Sequence, residues 1–218
     1  MAAVLLWGCA ATAHADAVAS LRSFVKEVKS ARANFTQTVV SPDGKKTRKS
    51  TGALEFQRPN RFRFTYMGAS EQQIVGDGKE VWLYDADLNQ VTVRPMNEAL
   101  GASPAALLAG GSLDKDFTLR NVMPAASPSS AATATSTSTQ ATSSLEWVEA
   151  LPRHKDGQFQ SVRVGFQKAD GRLAALEILD SFGQRSRLDF TQVESGAKIA
   201  PDRFRFTPPA GADVLRQP

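Results

Sequence analysis

The chain has 218 residues, of which 42% are hydrophobic and 22% are charged, and its formal net charge is +4. This length suits one substantial domain with its own core, and no uninterrupted apolar run reaches the ~20 residues of a membrane-spanning helix. Because the positive charge is small, we do not expect a nucleic acid as a partner.

The first fifteen residues have the pattern of a signal peptide. Val4-Leu5-Leu6-Trp7 is a short apolar core, and Ala13-His14-Ala15 has the small-x-small form that a signal peptidase cleaves. We therefore expect a signal peptide at 1–15 and one domain at 16–218. Cleavage would also remove Cys9, the only cysteine, and a chain without thiols suits an oxidising compartment.

An alternative interpretation keeps Cys9 in the mature protein. Leu6-Trp7-Gly8-Cys9 approximates a lipobox, which would place a lipid on the cysteine and anchor the chain to a membrane. Trp7 is bulkier than the small residue that such a site normally has. Cleavage after Ala15 is therefore the favoured interpretation, and the mass of the mature N-terminus distinguishes the two.

Two segments have helical features. Asp16 is a candidate N-cap for a helix at 16–31, and a second, short apolar helix is predicted at 104–109, between Ser103 and Gly110. The apolar stripe of the first helix consists of Val18, Leu21, Val25 and Val28. A helix as short as the second is marginal alone in water, so we expect it to lie on an apolar surface.

Most of the remaining chain alternates between apolar and polar residues with the period of β-strands. In 61–66, three aromatic residues alternate with Arg61, Arg63 and Thr65, and Asp77-Gly78 predicts the turn of a later hairpin. Turn signals recur about every ten residues, as in antiparallel sandwiches and barrels. The predicted strands are 35–40, 51–56, 61–66, 74–75, 81–84, 91–93, 145–148, 159–166, 173–179, 187–190 and 204–207.

Residues 125–144 interrupt this pattern. They are almost entirely Ala, Ser and Thr, and they contain no aromatic residue. Such a segment cannot bury enough apolar area to offset the entropy of ordering it. We expect a loop without fixed structure, inserted between two strands of the same domain.

Catalytic groups are scarce in the predicted mature chain. His154 is its only histidine and lies in a charged turn, which leaves no Cys/His nucleophile or zinc site. Ser23 and Lys26 match the Ser-x-x-Lys pattern of penicillin-recognising enzymes, but the companion motifs are absent. No glycine-rich phosphate loop is present. We therefore expect no enzyme activity, no catalytic residue, no metal and no cofactor.

The aromatic residues allow two interpretations. They form either the core of a sandwich or the wall of an apolar cavity. Two apolar helices beside a single curved sheet favour the cavity, because helices across a concave face form a lid. We therefore predict a mainly β fold with a few helices, in which an α-helical lid covers an apolar cavity.

Five short motifs follow one another in a specific order along the mature chain. They are Ala33-Asn34-Phe35-Thr36-Gln37, Arg58-Pro59-Asn60-Arg61-Phe62, Asp77-Gly78-Lys79 before Trp82-Leu83-Tyr84, Ser103-Pro104, and Phe204-Arg205-Phe206-Thr207-Pro208-Pro209. Together they resemble the LolA family of periplasmic carriers of outer-membrane lipoproteins. The resemblance covers nearly the whole mature chain and implies an incomplete, unclosed antiparallel β-barrel covered by a helical lid.

The resemblance also implies a function in the periplasm. The chain would accept acylated lipoproteins from an inner-membrane ABC-type releasing complex and deliver them to an outer-membrane lipoprotein receptor, acting as a monomer. That receptor shares the fold and is itself a lipoprotein. If Cys9 is lipidated, the anchored receptor is therefore the alternative.

The family's lid-locking arginine falls on Arg58. Its partners in the family are backbone carbonyls of the lid helices, at positions that match Val25, Leu108 and Ala109. Carbonyls at the end of a helix lack partners, and the helix dipole there favours a cation, so a guanidinium suits this role. The family's contact residue for the inner-membrane complex falls on Phe62.

We expect one set of side chains to line the acyl cavity or to contact partners. The set is Phe35, Phe62, Phe64, Tyr66, Trp82, Tyr84, Leu21 and Leu107. Two features depart from the family pattern, namely the insertion at 125–144 and the two arginines Arg61 and Arg63, which make this edge of the sheet more basic.

Overall fold

The computed structural model describes residues 16–68, 71–96, 108–110, 113–122, 144–153 and 159–217. Strands dominate this part of the chain: β1 (Ser30–Val40), β2 (Thr47–Gln57), β3 (Arg61–Met67), β4 (Gln72–Asp77), β5 (Glu80–Asp85), β6 (Gln90–Pro95), β7 (Phe117–Val122), β8 (Leu145–Pro152), β9 (Phe159–Gln167), β10 (Leu173–Asp180), β11 (Arg185–Ser195) and β12 (Asp213–Arg216). The described residues also include the helices α1 (Ala17–Glu27) and α2 (Leu113–Asp116) and a 3-10 turn, Pro201–Phe204.

All twelve strands belong to one sheet, in the order β12-β6-β5-β4-β3-β2-β1-β11-β10-β9-β8-β7. Neighbours run antiparallel except β12, which pairs in parallel with β6. The two end strands of this order, β12 and β7, are edges and do not pair with each other, so the sheet is not closed. The predicted mainly β fold with an incomplete antiparallel barrel is confirmed.

The sheet curls around α1. The ring of Phe24 in this helix lies 6.1 Å from the ring of Phe56 in β2 and 5.8 Å from the ring of Phe166 in β9. Four strand-to-strand steps separate β2 from β9, which is ~19 Å in a flat sheet. One ring can touch both strands only if the sheet bends strongly towards the helix. We call this inner side the concave face and the opposite side the convex face.

The first helix begins where predicted but ends earlier. Asp16 is its N-cap, and its carboxylate accepts a hydrogen bond from the amide of Val18 at 3.1 Å. The helix ends at Glu27 and not near residue 31, because Ser30 already opens β1 and pairs with Gln57 of β2. The buried residues of the helix are Ala17, Leu21 and Phe24.

The C-terminal segment differs from the prediction. The alternation at 204–207 predicts a strand, but Phe204 ends a 3-10 turn and the three residues after it lie outside the sheet. Arg63 on the convex face explains the difference, because its Nε and Nη2 donate to the carbonyls of Arg203 (2.6 Å) and Arg205 (3.1 Å). The segment therefore crosses the sheet, and the strand in this region is β12, which no sequence pattern had indicated.

Several predictions fall on residues outside the described part of the chain. They are the signal peptide with Cys9, His154, Leu107, residues 104–107 of the second helix and 125–143 of the insertion. Of the predicted second helix, Leu108 and Ala109 are described and helical, and Gly110 follows them without helical structure. Both helical residues are fully buried.

A glycine gives Phe62 its place on the concave face. Phe62 of β3 lies opposite Gly76 of β4 and is 1% exposed. A Cβ built on Gly76 would lie 2.4 Å from Cε1 of Phe62, and the three atoms nearest to it all belong to that ring. The missing side chain of Gly76 therefore provides the space that the aromatic ring occupies.

We expect Gly76→Ala to lower the free energy of unfolding by about 1–3 kcal/mol, the usual cost of overpacking a core. In a Phe62→Ala background the space above Gly76 is empty, so the same change should cost much less. Urea unfolding of the four chains in this double-mutant cycle measures the coupling. An equal cost in both backgrounds would show that the two residues do not share this space.

Candidate binding site beneath the helices

The concave face is a continuous apolar surface. Cross-strand pairing places Leu54, Phe64, Ile74 and Leu83 in one row across four strands. Among the residues predicted to line a cavity, Leu21, Phe35, Phe62 and Phe64 all belong to the buried cluster on this face, at no more than 5% exposure. In the structure these four residues lie together on the concave face, and their contact with acyl chains or partners stays a prediction.

Tyr66 extends the same surface towards the far end of β3. Its ring lies 5.2 Å from that of Phe35 in an edge-to-face arrangement. Burial raises the pKa of Tyr66 to about 12, because the apolar surroundings disfavour the phenolate. The surroundings of the Tyr66 hydroxyl are therefore apolar, like the rest of the concave face.

Two residues predicted for the cavity lie on the opposite face. Trp82 pairs with Val75, which in turn pairs with Arg63, and this register places all three on the convex face. Tyr84 alternates with the concave Leu83 and also faces outwards. Both rings pack against Phe206 of the C-terminal segment, with centroids 5.9 and 5.8 Å away. Trp82 and Tyr84 therefore do not line the concave face, and the other part of the prediction, contact with a partner, stays a prediction.

Sequence reasoning missed several residues of this surface, among them Leu54, Ile74 and Leu83. Ile74 is partly buried against the core of the concave face, and Leu83 beside it is 41% exposed. Leu83 stands between the two aromatic residues of β5, and its alternation with them was the available signal. Ile74 and Leu83 therefore lie at an end of the concave face where side chains are more exposed to solvent.

The guanidinium of Arg58 lies between the ends of two helical segments. Its Nε donates to the carbonyl of Val28, the C-cap of α1, at 2.9 Å. Its Nη1 donates to the carbonyl of Gly110, directly after the helical residues Leu108 and Ala109, at 3.3 Å. Both acceptors are at helix C-termini, where carbonyls lack helical partners and the dipole favours a cation.

The carbonyls that the sequence comparison indicated for Arg58 are not its acceptors. The hydrogen bonds go to Val28 and Gly110, one position or more beyond Val25, Leu108 and Ala109. The carbonyl of Ala109 accepts instead from the amide of Asn60 at 2.8 Å. The predicted principle, one arginine binding the ends of two helices, holds with different acceptors.

The surroundings of Arg58 are largely apolar. The guanidinium lies 5.4 Å from the ring centre of Phe24 and 5.2 Å from that of Phe56. Burial lowers the pKa of Arg58 to about 10, because the charged form loses solvation. Its Nη2 is buried and has no hydrogen-bond partner among the described residues. In this part of the chain the cation is held by two carbonyls and two aromatic faces.

The other end of α1 has its own polar contacts. The hydroxyl of Ser20 donates to Oε1 of Glu146 in β8, a residue that is 8% exposed. Asn121 of β7 accepts from the amide of Val18 at 2.9 Å and donates to the carboxylate of Asp16 at 3.0 Å. The N-terminal end of the helix is thus attached to the edge strand β7 and its neighbour β8, and the C-terminal end to Arg58.

A curled sheet with an apolar concave face, closed by helices that one arginine holds, defines a lidded binding protein for apolar groups. The family model described as "Outer membrane lipoprotein carrier protein LolA" matches residues 26–207 of the chain. The chain belongs to this family. The resemblance inferred from the short motifs is confirmed.

Curated relatives agree over nearly the full length. The outer-membrane lipoprotein carrier protein of Methylibium petroleiphilum is 57% identical over 208 residues, covering 95% of this chain and 93% of the relative. That of Nitrosomonas europaea is 41% identical over 203 residues, covering 93% and 90%. An uncharacterised conserved protein of Thermus thermophilus has a similar fold, with a TM-score of 0.52 at 15% identity, covering 92% of this chain and 97% of that one.

Proposed function

We propose that the chain carries lipoproteins through the periplasm by holding their acyl chains against the concave face beneath α1. Its family is that of the outer membrane lipoprotein carrier proteins, and the 57% identical relative bears this name. The observation that supports the proposal is the Arg58 guanidinium bonded to both helix ends above a continuous apolar surface. Carriage of this kind breaks no covalent bond of the cargo, so no catalytic residue is needed.

The described conformation is the closed form of this carrier. Phe24 fills the space between Phe56 and Phe166, and Phe62 is 1% exposed. Acyl chains can reach the buried part of the concave face only when α1 moves away from it. Entry therefore exchanges contacts between the helix and the sheet for contacts between hydrocarbon and the sheet.

The Arg58 hydrogen bonds would keep the affinity for cargo moderate. Each buried methylene of an acyl chain contributes ~0.8 kcal/mol, so complete enclosure of several chains would prevent release. Opening the lid breaks the bonds to Val28 and Gly110, and a bond to a charged group contributes ~1.5–3 kcal/mol. This loss opposes the bound state and favours transfer to the next binder.

The partners follow from the direction of transport. We propose that the chain, as a monomer, receives cargo from an inner-membrane ABC-type releasing complex and gives it to an outer-membrane lipoprotein receptor. Phe62 is buried in the closed form, so its proposed contact with the releasing complex requires the opened lid. Docking of that complex and opening of the lid are then coupled.

The two faces of β3 and β5 provide a matched test of where acyl chains bind. Phe64→Ala removes a ring from the concave face, and we expect it to weaken binding of a fluorescent fatty acid by about tenfold, as for one large apolar contact. Trp82→Ala removes a larger ring from the convex face and should change the affinity less than twofold. A greater loss with Trp82→Ala would place the binding surface on the other side of the sheet.

We call the two hydrogen bonds from Arg58 to Val28 and Gly110 the latch. The variant Arg58→Leu tests it. We expect this variant to load triacylated lipoprotein as well as the parent chain but to transfer it poorly to the purified receptor, because the bonds that oppose the bound state are gone. Arg32→Leu is the control, since Arg32 is an exposed arginine paired with Glu194. Unchanged transfer by Arg58→Leu would refute the latch.

A further inference from the structure

Two adjacent turns at one end of the sheet combine cations with an exposed ring. One connects β1 to β2, the other β10 to β11. They are neighbours because Val40 lies opposite Arg185, and a Cβ built on Gly183 would lie 3.5 Å from Cβ of Pro42. We call this region the basic tip. It comprises Lys45, Lys46, Arg48, Lys49, Phe182 and Arg185.

Phe182 is held out into solvent by a well-formed turn. Its exposure is 85%, the highest among the exposed large hydrophobic residues that the structure describes. The carboxylate of Asp180 accepts from the amides of Phe182 (2.9 Å) and Gln184 (2.8 Å), and Gly183 takes the positive φ that the turn requires, +85°. The turn geometry therefore fixes the exposed position of the ring.

The cations of the basic tip are not neutralised. All five are exposed, and within the described residues none of them takes part in an ion pair. The acids nearest in sequence, Asp43 and Asp180, serve the turns themselves. Asp43 accepts from the hydroxyl of Ser41 and the amide of Lys45, at 2.5 and 3.1 Å. Five cations against two acids leave the tip strongly positive.

We propose that the basic tip docks the protein on an anionic phospholipid surface, with Phe182 among the headgroups and the cations on lipid phosphates. Clustered Lys and Arg side chains are attracted to anionic bilayers, and an aromatic ring is favoured at the membrane interface. Two turns offer much less area than the ~1,000 Å² that a stable protein interface buries. A bilayer, into which a single ring can insert, fits this shape better than an acidic protein surface.

The position of the basic tip leaves the lid free. β1 begins at Ser30 opposite Gln57, next to Arg58, and runs eleven residues to Val40 at the tip. The latch and the tip are thus at opposite ends of one strand, roughly 35 Å apart. Contact with a bilayer at the tip would not obstruct movement of α1. This function is additional to acyl-chain binding and does not depend on it.

Co-sedimentation of the chain 16–218 with vesicles tests the proposal. We expect binding to phosphatidylcholine vesicles that contain about 30% phosphatidylglycerol, loss of binding in high salt, and none to pure phosphatidylcholine. The double substitution Lys45→Gln/Lys46→Gln should weaken binding about 25-fold, and Phe182→Ser about tenfold. Fatty-acid binding should be unchanged in these variants, which separates this test from that of the carrier function.

Matched substitutions elsewhere provide the controls. Lys115→Gln/Lys198→Gln removes two exposed cations outside the basic tip, and Leu88→Ser removes an apolar side chain that is 69% exposed in a turn with Asp85 and Asp87. Neither should change vesicle binding more than about twofold. Absence of binding to anionic vesicles, or equal losses in the control variants, would overturn the proposal. So would a loss that depends on the cations but not on Phe182, because the proposed contact places the ring among the headgroups.

Discussion

One guanidinium binds the ends of two helical segments at once, and the closed form of the proposed carrier depends on this contact. Arg58 donates hydrogen bonds both to the C-cap of α1 and to the segment 108–110. Neither short helical segment would be stable alone in water, and each leaves carbonyls without partners at its end. A planar cation with five donors can satisfy both ends from a single position. A lysine at this position would supply a point charge but not this geometry.

In the proposed carrier, the same interaction would make the binding of acyl chains to this apolar surface reversible. The guanidinium is buried beside Phe24 and Phe56, its Nη2 has no partner within the described residues, and burial lowers its pKa to about 10. A cation in such surroundings is stabilised only as long as both carbonyls stay in place. The two ends of α1 therefore differ: the N-terminal end has several neutral and ionic contacts to β7 and β8, and the C-terminal end has this single cation.

Much of this architecture could be predicted from the sequence, because alternation fixes which residues of a strand share a face. The row of Phe62, Phe64 and Tyr66 was found in this way. Alternation does not fix how neighbouring strands are matched, so Trp82 and Tyr84 were assigned to the wrong face. The pairing of Val75 with Trp82 places this ring on the convex face, and that pairing follows from the turn between β4 and β5.

Other features could not be predicted, because they depend on contacts between residues distant in sequence. The C-terminal segment alternates like a strand, yet Arg63 binds its carbonyls and holds it across the convex face. The acceptors of Arg58 differ from those expected because Ala109 already binds Asn60. Likewise, four cations at 45–49 give little signal against a net charge of +4, and only pairing of β1 with β11 places them beside Phe182.

Movement of α1 on loading is the central claim, and the distance between this helix and the sheet measures it most directly. A chain that begins at Asp16 has no cysteine, so Ser23→Cys on the exposed side of α1 and Thr191→Cys on β11 can carry the only two spin labels. Pulsed electron paramagnetic resonance should show one short distance in the empty protein and a longer one after addition of triacylated peptide. An unchanged distance in a protein that has bound the peptide would contradict the account.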